Sequence, residues 1–367
     1  MPDNTIIPSK DYIDQLDKNS VGRWKNIITA RRDAIEAQLF LFEKLRKFPS
    51  EDVDIVVFGS LARQEWTTGS DVDWTLLIDG QANIDHRSNA REIGLTLDEL
   101  EFKGKRLNPP GGEGIFGNMA FSHEIVHHIG GQDDTNRNMT QRILLLLEAT
   151  SLRGLEAGGD GPCERTVRQI LYRYLKGDSN FHPQANEESR IPRFLLNDIV
   201  RFWRTMCVDF AYKDWEQAGR KWALRNIKLR TSRKLLFVAG MLTVFSCFKN
   251  ESLNHDVAPE GYILKLQEHL LNYVHSTPLN IIVWTLQNMG RDEDCLKILD
   301  IYEKFLATMN DESLRQHLEE LNQETVYQDE IFLACREISH QLQIVLQNIC
   351  FKEESPLREF TCEYGVF

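Results

Sequence analysis

The chain has no apolar run long enough to cross a bilayer, which needs about 20 consecutive apolar residues. Its longest candidate, Leu235 to Phe248, is interrupted by Gly240, Thr243 and Ser246, so a membrane-embedded protein is not expected. No Cys-x-x-Cys pair occurs among the seven cysteines, which are odd in number and widely spaced at 163, 207, 247, 295, 335, 350 and 362. A disulfide scaffold or zinc ribbon is thereby disfavoured, and reduced core thiols are expected. Nor is there a basic region followed by an apolar run at Met1-Pro2-Asp3-Asn4, so the expected location is the cytoplasm. Basic charge is in deficit as well, 43 Lys and Arg against 55 Asp and Glu for a net −12. Extended DNA binding is not expected, because phosphate contacts need a local excess of Lys and Arg.

What is present is an ordinary globular composition, 42% hydrophobic and 27% charged over 367 residues, enough for two or three cores at about 150 residues each. Apolar residues recur at helical spacing from Trp24 to Leu45, and Pro49 stops that pattern. Two short buried-strand runs follow, Val53 to Phe58 and Asp73 to Ile78, the first ended by Gly59 and the second by Asp79-Gly80. A helix is predicted over about Thr140 to Leu152. Four glycines between Gly154 and Gly161 suggest a boundary, giving a first domain over 1–157 and a second over 158–367. Beyond it the periodicity is helical, in stretches starting near Arg193, Trp222, Glu260, Pro278, Cys295, Glu312 and Asp329. The tail past Lys352 shows no helical period. The expected fold class is α+β, a small mixed sheet followed by an all-helical domain.

The segment that carries chemistry runs from Phe58-Gly59-Ser60-Leu61-Ala62-Arg63-Gln64-Glu65 to Ser70-Asp71-Val72-Asp73-Trp74. Asp71 and Asp73, two apart at a strand entry, leave the same face about 6 to 7 Å apart, within reach of shared or paired Mg²⁺. Two such ions about 4 Å apart suit in-line displacement at the α-phosphorus of a triphosphate. Gly59-Ser60, where a strand ends and a helix begins, offers exposed N–H groups and a hydroxyl to the β- and γ-phosphates. Arg63 and Ser70, flanking the same turn, complete the predicted nucleotide-binding set. Solvated acids at a strand entry are the plain alternative for the Asp pair taken alone.

Together these residues resemble the DNA polymerase β-like nucleotidyltransferase superfamily, whose signature is Gly-Ser followed by Asp-x-Asp. The close spacing, with Ala62-Arg63 and Glu65 between, looks like the branch that includes the uridylyltransferase of the PII signalling protein. The motif covers about residues 53 to 79, and a vaguer likeness continues through Leu147-Glu148-Ala149 into the helical region. The resemblance implies two Mg²⁺ or Mn²⁺ ions on Asp71 and Asp73, an NTP donor, and transfer of a nucleoside monophosphate with release of pyrophosphate. The acceptor it leaves open: a protein side chain, a short RNA end or a second nucleotide, the last as in synthases of oligonucleotide signals. The superfamily adds a third carboxylate, for which Glu124 is the candidate and Glu113 the fallback. Should neither reach the metals, a catalytically degenerate nucleotide-binding regulatory module is the alternative.

Two further features compete or contribute. His123-Glu124-Ile125-Val126-His127 matches the His-Glu-x-x-His zinc metalloprotease pattern, although no third ligand has an obvious spacing and Gly130-Gly131 would end the helix soon after. Packing or hydrogen-bonding histidines are the plainer reading. The segment Gly219 to Lys234 carries seven Lys or Arg and no acid between Arg220 and Lys234, either a solvated basic face or a phosphate-facing one. By analogy with related nucleotidyltransferases, whose second domain closes the nucleotide cleft, Lys228 and Ser232 are predicted to reach the triphosphate. Arg201, Trp203 and Arg204 could add a stacking surface for the base, with core packing of Trp203 as the alternative.

Overall fold

The computed structural model describes residues 12–67, 69–110, 114–154, 160–179, 191–247 and 259–365. Two compact units emerge, one formed by 29–177 and the other by 1–28 with 178–367. Relative to a break at 157/158, the first residues and the segment from 158 to 177 change sides.

The 29–177 unit holds the sheet. Its helix α2 (Lys25–Leu45, beginning just before the unit's limit) leads to β1 (Val53–Phe58), the one-turn α3 (Gly59–Ala62) and β2 (Trp74–Ile78). Next come α4 (Asp85–Glu99), a small hairpin of β3 (Glu101–Phe102) and β4 (Lys105–Arg106), and β5 (Asn118–Phe121). Then follow α5 (Ser122–His127), α6 (Asn136–Leu147), β6 (Ala149–Ser151) and α7 (Pro162–Ser179). The α1 helix (Tyr12–Asn19) belongs to the other unit.

The four-stranded sheet has the order β5-β2-β1-β6 and is mixed. Strand β1 is antiparallel to both β2 and β6, and β2 is parallel to β5. Every residue of β1 and β2 is buried, as largely apolar strands covered on both faces are, with Asp54 and Thr75 the polar exceptions. On one face Val53, Ile55 and Val57 of β1 join Trp74, Leu76 and Ile78 of β2. Ala34, Ala37, Leu41 and Leu45 of α2 and Ala90, Ile93 and Leu97 of α4 close over them at helical spacing.

The helix predicted to reach Leu152 stops earlier. Glu148 leaves helical geometry (φ −150°, ψ 47°), and Ala149 to Ser151 pair with Phe58 to Val56. The exposed edge of β1 outcompetes local helix propensity, since an unpaired buried strand edge would leave its N–H and C=O groups unsatisfied.

The other unit is helical: α8 (Arg193–Glu216), α9 (Trp222–Lys228), a π-turn (Leu229–Arg233), α10 (Lys234–Phe245), α11 (Pro259–Val274), α12 (Pro278–Asn288), α13 (Asp292–Asn310), α14 (Glu312–Glu320) and α15 (Glu330–Phe351). The apolar run noted above is α10, which packs against α8 and α12. From Leu235 to Phe245 all but Phe237 are buried, so a helix apolar on every side is here the centre of a bundle. Among the described residues no helix is long and apolar enough to cross a membrane. The tail, read as irregular, instead forms a short turn (Arg358–Phe360) and a second π-turn (Thr361–Gly365). Phe360 is buried there with its ring 5.8 Å from that of Phe245, and Leu357 and Thr361 are buried beside it, so a few inward side chains order a segment that has no period.

Candidate active site

At the end of β1 the chain must turn sharply into α3, and Gly59 makes that turn at φ +66°, a conformation glycine adopts without steric penalty. A second constraint acts at the same position. A Cβ on Gly59 would lie 2.7 Å from Oδ2 of Asp73, closer than real Cβ contacts. The Asp73 carboxylate therefore occupies the space that a side chain at position 59 would need. The Phe58 N–H also donates to the Asp73 carbonyl at 2.9 Å, continuing the β1–β2 ladder beyond the strands. Ser60 is half-buried in the first turn of α3, where backbone N–H groups have no intrahelical acceptor.

The turn is braced from behind. Gln38 of α2 donates its Nε2 to the Leu61 carbonyl at 2.8 Å, and the Glu65 N–H donates to Ser60 at 2.8 Å. Arg63, expected to bind nucleotide, is only 6% exposed. Its Nε pairs with Glu65 at 2.8 Å and its Nη1 with the buried Glu148. The guanidinium is thus committed to carboxylates inside the unit and acts by holding α3 in place. Sequence reading missed Glu148 in this role because the two partners are 85 positions apart. Ser70, also expected at the nucleotide, has its hydroxyl within hydrogen-bonding distance of the Thr67 N–H (3.2 Å) and hydroxyl (3.1 Å). That contact closes the turn that delivers Asp71.

Asp71 is exposed and Asp73 half-buried. Val72 between them donates its N–H to the Asn108 carbonyl at 2.9 Å, and Gly117 donates to the Trp74 carbonyl at 2.8 Å. Both ends of the Gly/Pro-rich loop are thereby anchored alongside the acidic pair. Among the described residues Asp71 has no ion pair. Two carboxylates suit Mg²⁺, which is usually held by one or two carboxylates together with substrate phosphates.

Glu124 does not join them. Strands β2 and β5 are parallel, with Ile78 opposite Phe121, so Glu124, three residues past Phe121 on α5, lies at the far end of the sheet. Five strand residues at about 3.3 Å each put that end roughly 16 Å from Asp73. The position on β5 nearest the pair is Asn118, opposite Thr75, and β5 contains no acid. Glu113 lies outside the described residues. No group of three or more His, Cys, Asp or Glu able to hold a metal occurs among the described residues. That also removes structural support for the zinc reading. His123 and His127 sit on α5 with rings 4.6 Å apart, but α5 has only six residues and Gly130 follows at φ +73°.

Lys228 and Ser232 lie in the helical unit, in α9 and the π-turn. Ser232 is 4% exposed and its hydroxyl donates to the Lys228 carbonyl at 3.2 Å, a bond within its own helix. Trp203 of α8 stacks on Phe237 of α10 with centroids 5.4 Å apart, and Arg204 is exposed while Arg201 is half-exposed.

Residues 41–109 match the nucleotidyltransferase domain family. The matched stretch spans β1, the Gly59-Ser60 turn, both aspartates, β2 and the anchor at Asn108, less than a fifth of the chain. It supports nucleotidyl transfer as the general function and a likeness of this stretch to the polymerase β-like superfamily. No curated protein matches the chain.

Proposed function

We propose that the chain is a metal-dependent nucleotidyltransferase that moves a nucleoside monophosphate from an NTP to an acceptor and releases pyrophosphate. The observation that carries this reading is the closeness of Gly59 to the Asp73 carboxylate, whose Oδ2 lies 2.7 Å from where a Cβ on Gly59 would sit. It sets a phosphate-binding turn beside an acidic pair, inside the stretch that matches the family. In this proposal Asp71 and Asp73 hold one or two Mg²⁺ or Mn²⁺ ions. Such ions would offset the triphosphate charge and polarise the attacking oxygen. The N–H groups of the α3 turn and the Ser60 hydroxyl take the non-transferred phosphates, where oriented donors stabilise developing charge without reorganising. Arg63 positions that turn through Glu65 and Glu148. Lys228 and Ser232 remain the candidates from the helical unit.

The acceptor is a protein side chain, a short RNA end or a nucleotide. A protein acceptor is the outcome that would fit the PII-uridylyltransferase-like branch, and a nucleotide acceptor would make the chain an oligonucleotide synthase. The second reading, a nucleotide-binding regulatory module without turnover, is favoured by the missing carboxylate on β5, since a hydroxyl acceptor needs a base.

Incubation with each α-labelled NTP and Mg²⁺ or Mn²⁺, with cell extract as acceptor source, tests the proposal. Label transfer with pyrophosphate release is expected, reduced on the order of 10²- to 10³-fold in Asp73→Asn. NTP binding without pyrophosphate from any nucleotide would overturn it in favour of the regulatory module.

A further inference from the structure

The basic segment of the helical unit has two distinct environments. Lys228 and Ser232 bond along their own helix as described. Arg230 and Lys234, also four residues apart, meet different neighbours. Lys234 is half-buried, and its ammonium donates to Oε1 of Gln343 on α15 at 2.5 Å. Cys207 of α8 neighbours it, and the Arg230 guanidinium is close enough for its charge to act on it. Burial, and then the charge of Arg230, push the Lys234 ammonium below the usual lysine range. Arg230 is half-buried, and its Nε is shielded from solvent without a hydrogen-bond partner. Among the described residues neither Arg230 nor Lys234 forms an ion pair with a carboxylate.

Two cations meeting in partial burial without an acid are electrostatically unfavourable, and the chain has 55 acids from which a partner could have been drawn. The backbone between them is the π-turn Leu229–Arg233, and such insertions concentrate at functional sites. One turn further on, Phe237 of α10 stacks with Trp203 of α8, both half-exposed. Trp203 and Cys207 are four apart on α8, so the aromatic pair and the cation pair adjoin along the same two helices.

We infer that Arg230 and Lys234, with the Gln343 amide, form a binding site for a phosphate monoester dianion, separate from the Asp71–Asp73 centre. The forked guanidinium and the ammonium would each donate to the phosphoryl oxygens, and the dianion would offset both positive charges. Free phosphate and a nucleoside monophosphate share this chemistry. The second would also use the Trp203–Phe237 stack for its base.

Calorimetric titration of the full chain with inorganic phosphate and, separately, AMP tests the site. EDTA is present throughout, so that the acidic pair is metal-free and the outcome does not depend on nucleotidyl transfer. Saturable binding of at least one ligand is expected, weakened about 10-fold or more in Arg230→Gln and in Lys234→Gln. It should be unchanged in Lys228→Gln and Asp73→Asn, and largely kept in Arg230→Lys, which separates charge loss from misfolding. Tighter binding of AMP than of phosphate would support the nucleotide form of the site, and equal binding the phosphate form. Absence of saturable binding by either ligand, or equal binding by wild type and Arg230→Gln, would overturn the inference.

Discussion

The two ends of β2 carry acids with opposite fates. At the entry, Asp71 is exposed and has no ion pair among the described residues, while Asp73 sits half-buried against Gly59. At the exit, Asp79 is bonded by the Ser122 hydroxyl at 2.7 Å and paired with Arg165 at 2.8 Å. Arg165 also donates to the carbonyls of Asp160 and Glu51, so it ties the start of α7 to the strand end. Nearby on β1, Asp54 is opposite Leu77, fully buried, and bonded by the Ser151 hydroxyl at 2.7 Å. At the exit the acids are bonded to the fold, whereas at the entry Asp71 stays exposed. What an aspartate is available to do is thus a matter of its surroundings and not of the residue type.

The contrast can be broken most severely at the brace behind the entry. Arg63→Met would strand Glu65 and Glu148 as buried carboxylates, and losing one partner of a buried pair costs about 3 to 5 kcal/mol. Chemical denaturation should show a loss of that order. The variant in which Glu65 and Glu148 are also replaced by Gln should recover part of it. An unchanged midpoint in Arg63→Met would remove the bracing role.

At the turn itself, Gly59→Ala forces a Cβ toward Asp73 Oδ2 in a backbone region that disfavours alanine. We expect a loss of about 1 to 3 kcal/mol from the overpacking, together with a fall in label transfer larger than the thermal shift explains. Full activity in Gly59→Ala would mean that the turn and the aspartate move apart freely.

At the exit end, the Asp54 carboxyl pKa is raised by burial, which outweighs the Ser151 and Cys163 hydrogen bonds that favour the ion. The folded chain therefore keeps a proton that the unfolded chain releases above about pH 4. The stability from this group is complete below that value and is lost as pH rises through the folded pKa. Asp54→Asn, neutral at every pH, should gain thermal stability relative to wild type as pH increases from 4 towards neutrality. Parallel melting curves check it, and a difference that stays flat with pH would contradict the shift.

The smallest effect is expected at Glu124. Glu124→Gln should leave label transfer within about twofold of wild type, because its end of the sheet is roughly 16 Å from Asp73. A loss as large as that of Asp73→Asn would break the contrast between the two ends.

Much of this arrangement was legible locally. The buried strands, the Gly-Ser turn and the paired aspartates announce themselves through runs of β-branched residues, a glycine at a strand end and a two-residue spacing. Strand β6 was not legible, because Ala149-Thr150-Ser151 gains its conformation from pairing with β1 and not from its own propensity. The partners of Arg63 and Ser70 were not legible for a related reason. A basic or hydroxyl side chain beside a phosphate-binding turn has the same appearance in sequence whether it faces ligand or a buried partner. Helix α4, with Ala90, Ile93 and Leu97 inward, went unread because its mean composition is polar and its apolar stripe narrow.

The sequence by itself determined the sheet's two inner strands and the Gly-Ser turn with its nearby Asp pair, since each is written in a short local pattern. Tertiary structure alone decided which acids are consumed by the fold. It sent Glu124 to the wrong end of a parallel strand pair, joined Arg63 to Glu148, and left Arg230 beside Lys234 without an acid. Those outcomes depend on which distant segments share a buried volume. Desolvation then makes pairing obligatory for some charges and leaves others without an acid beside them.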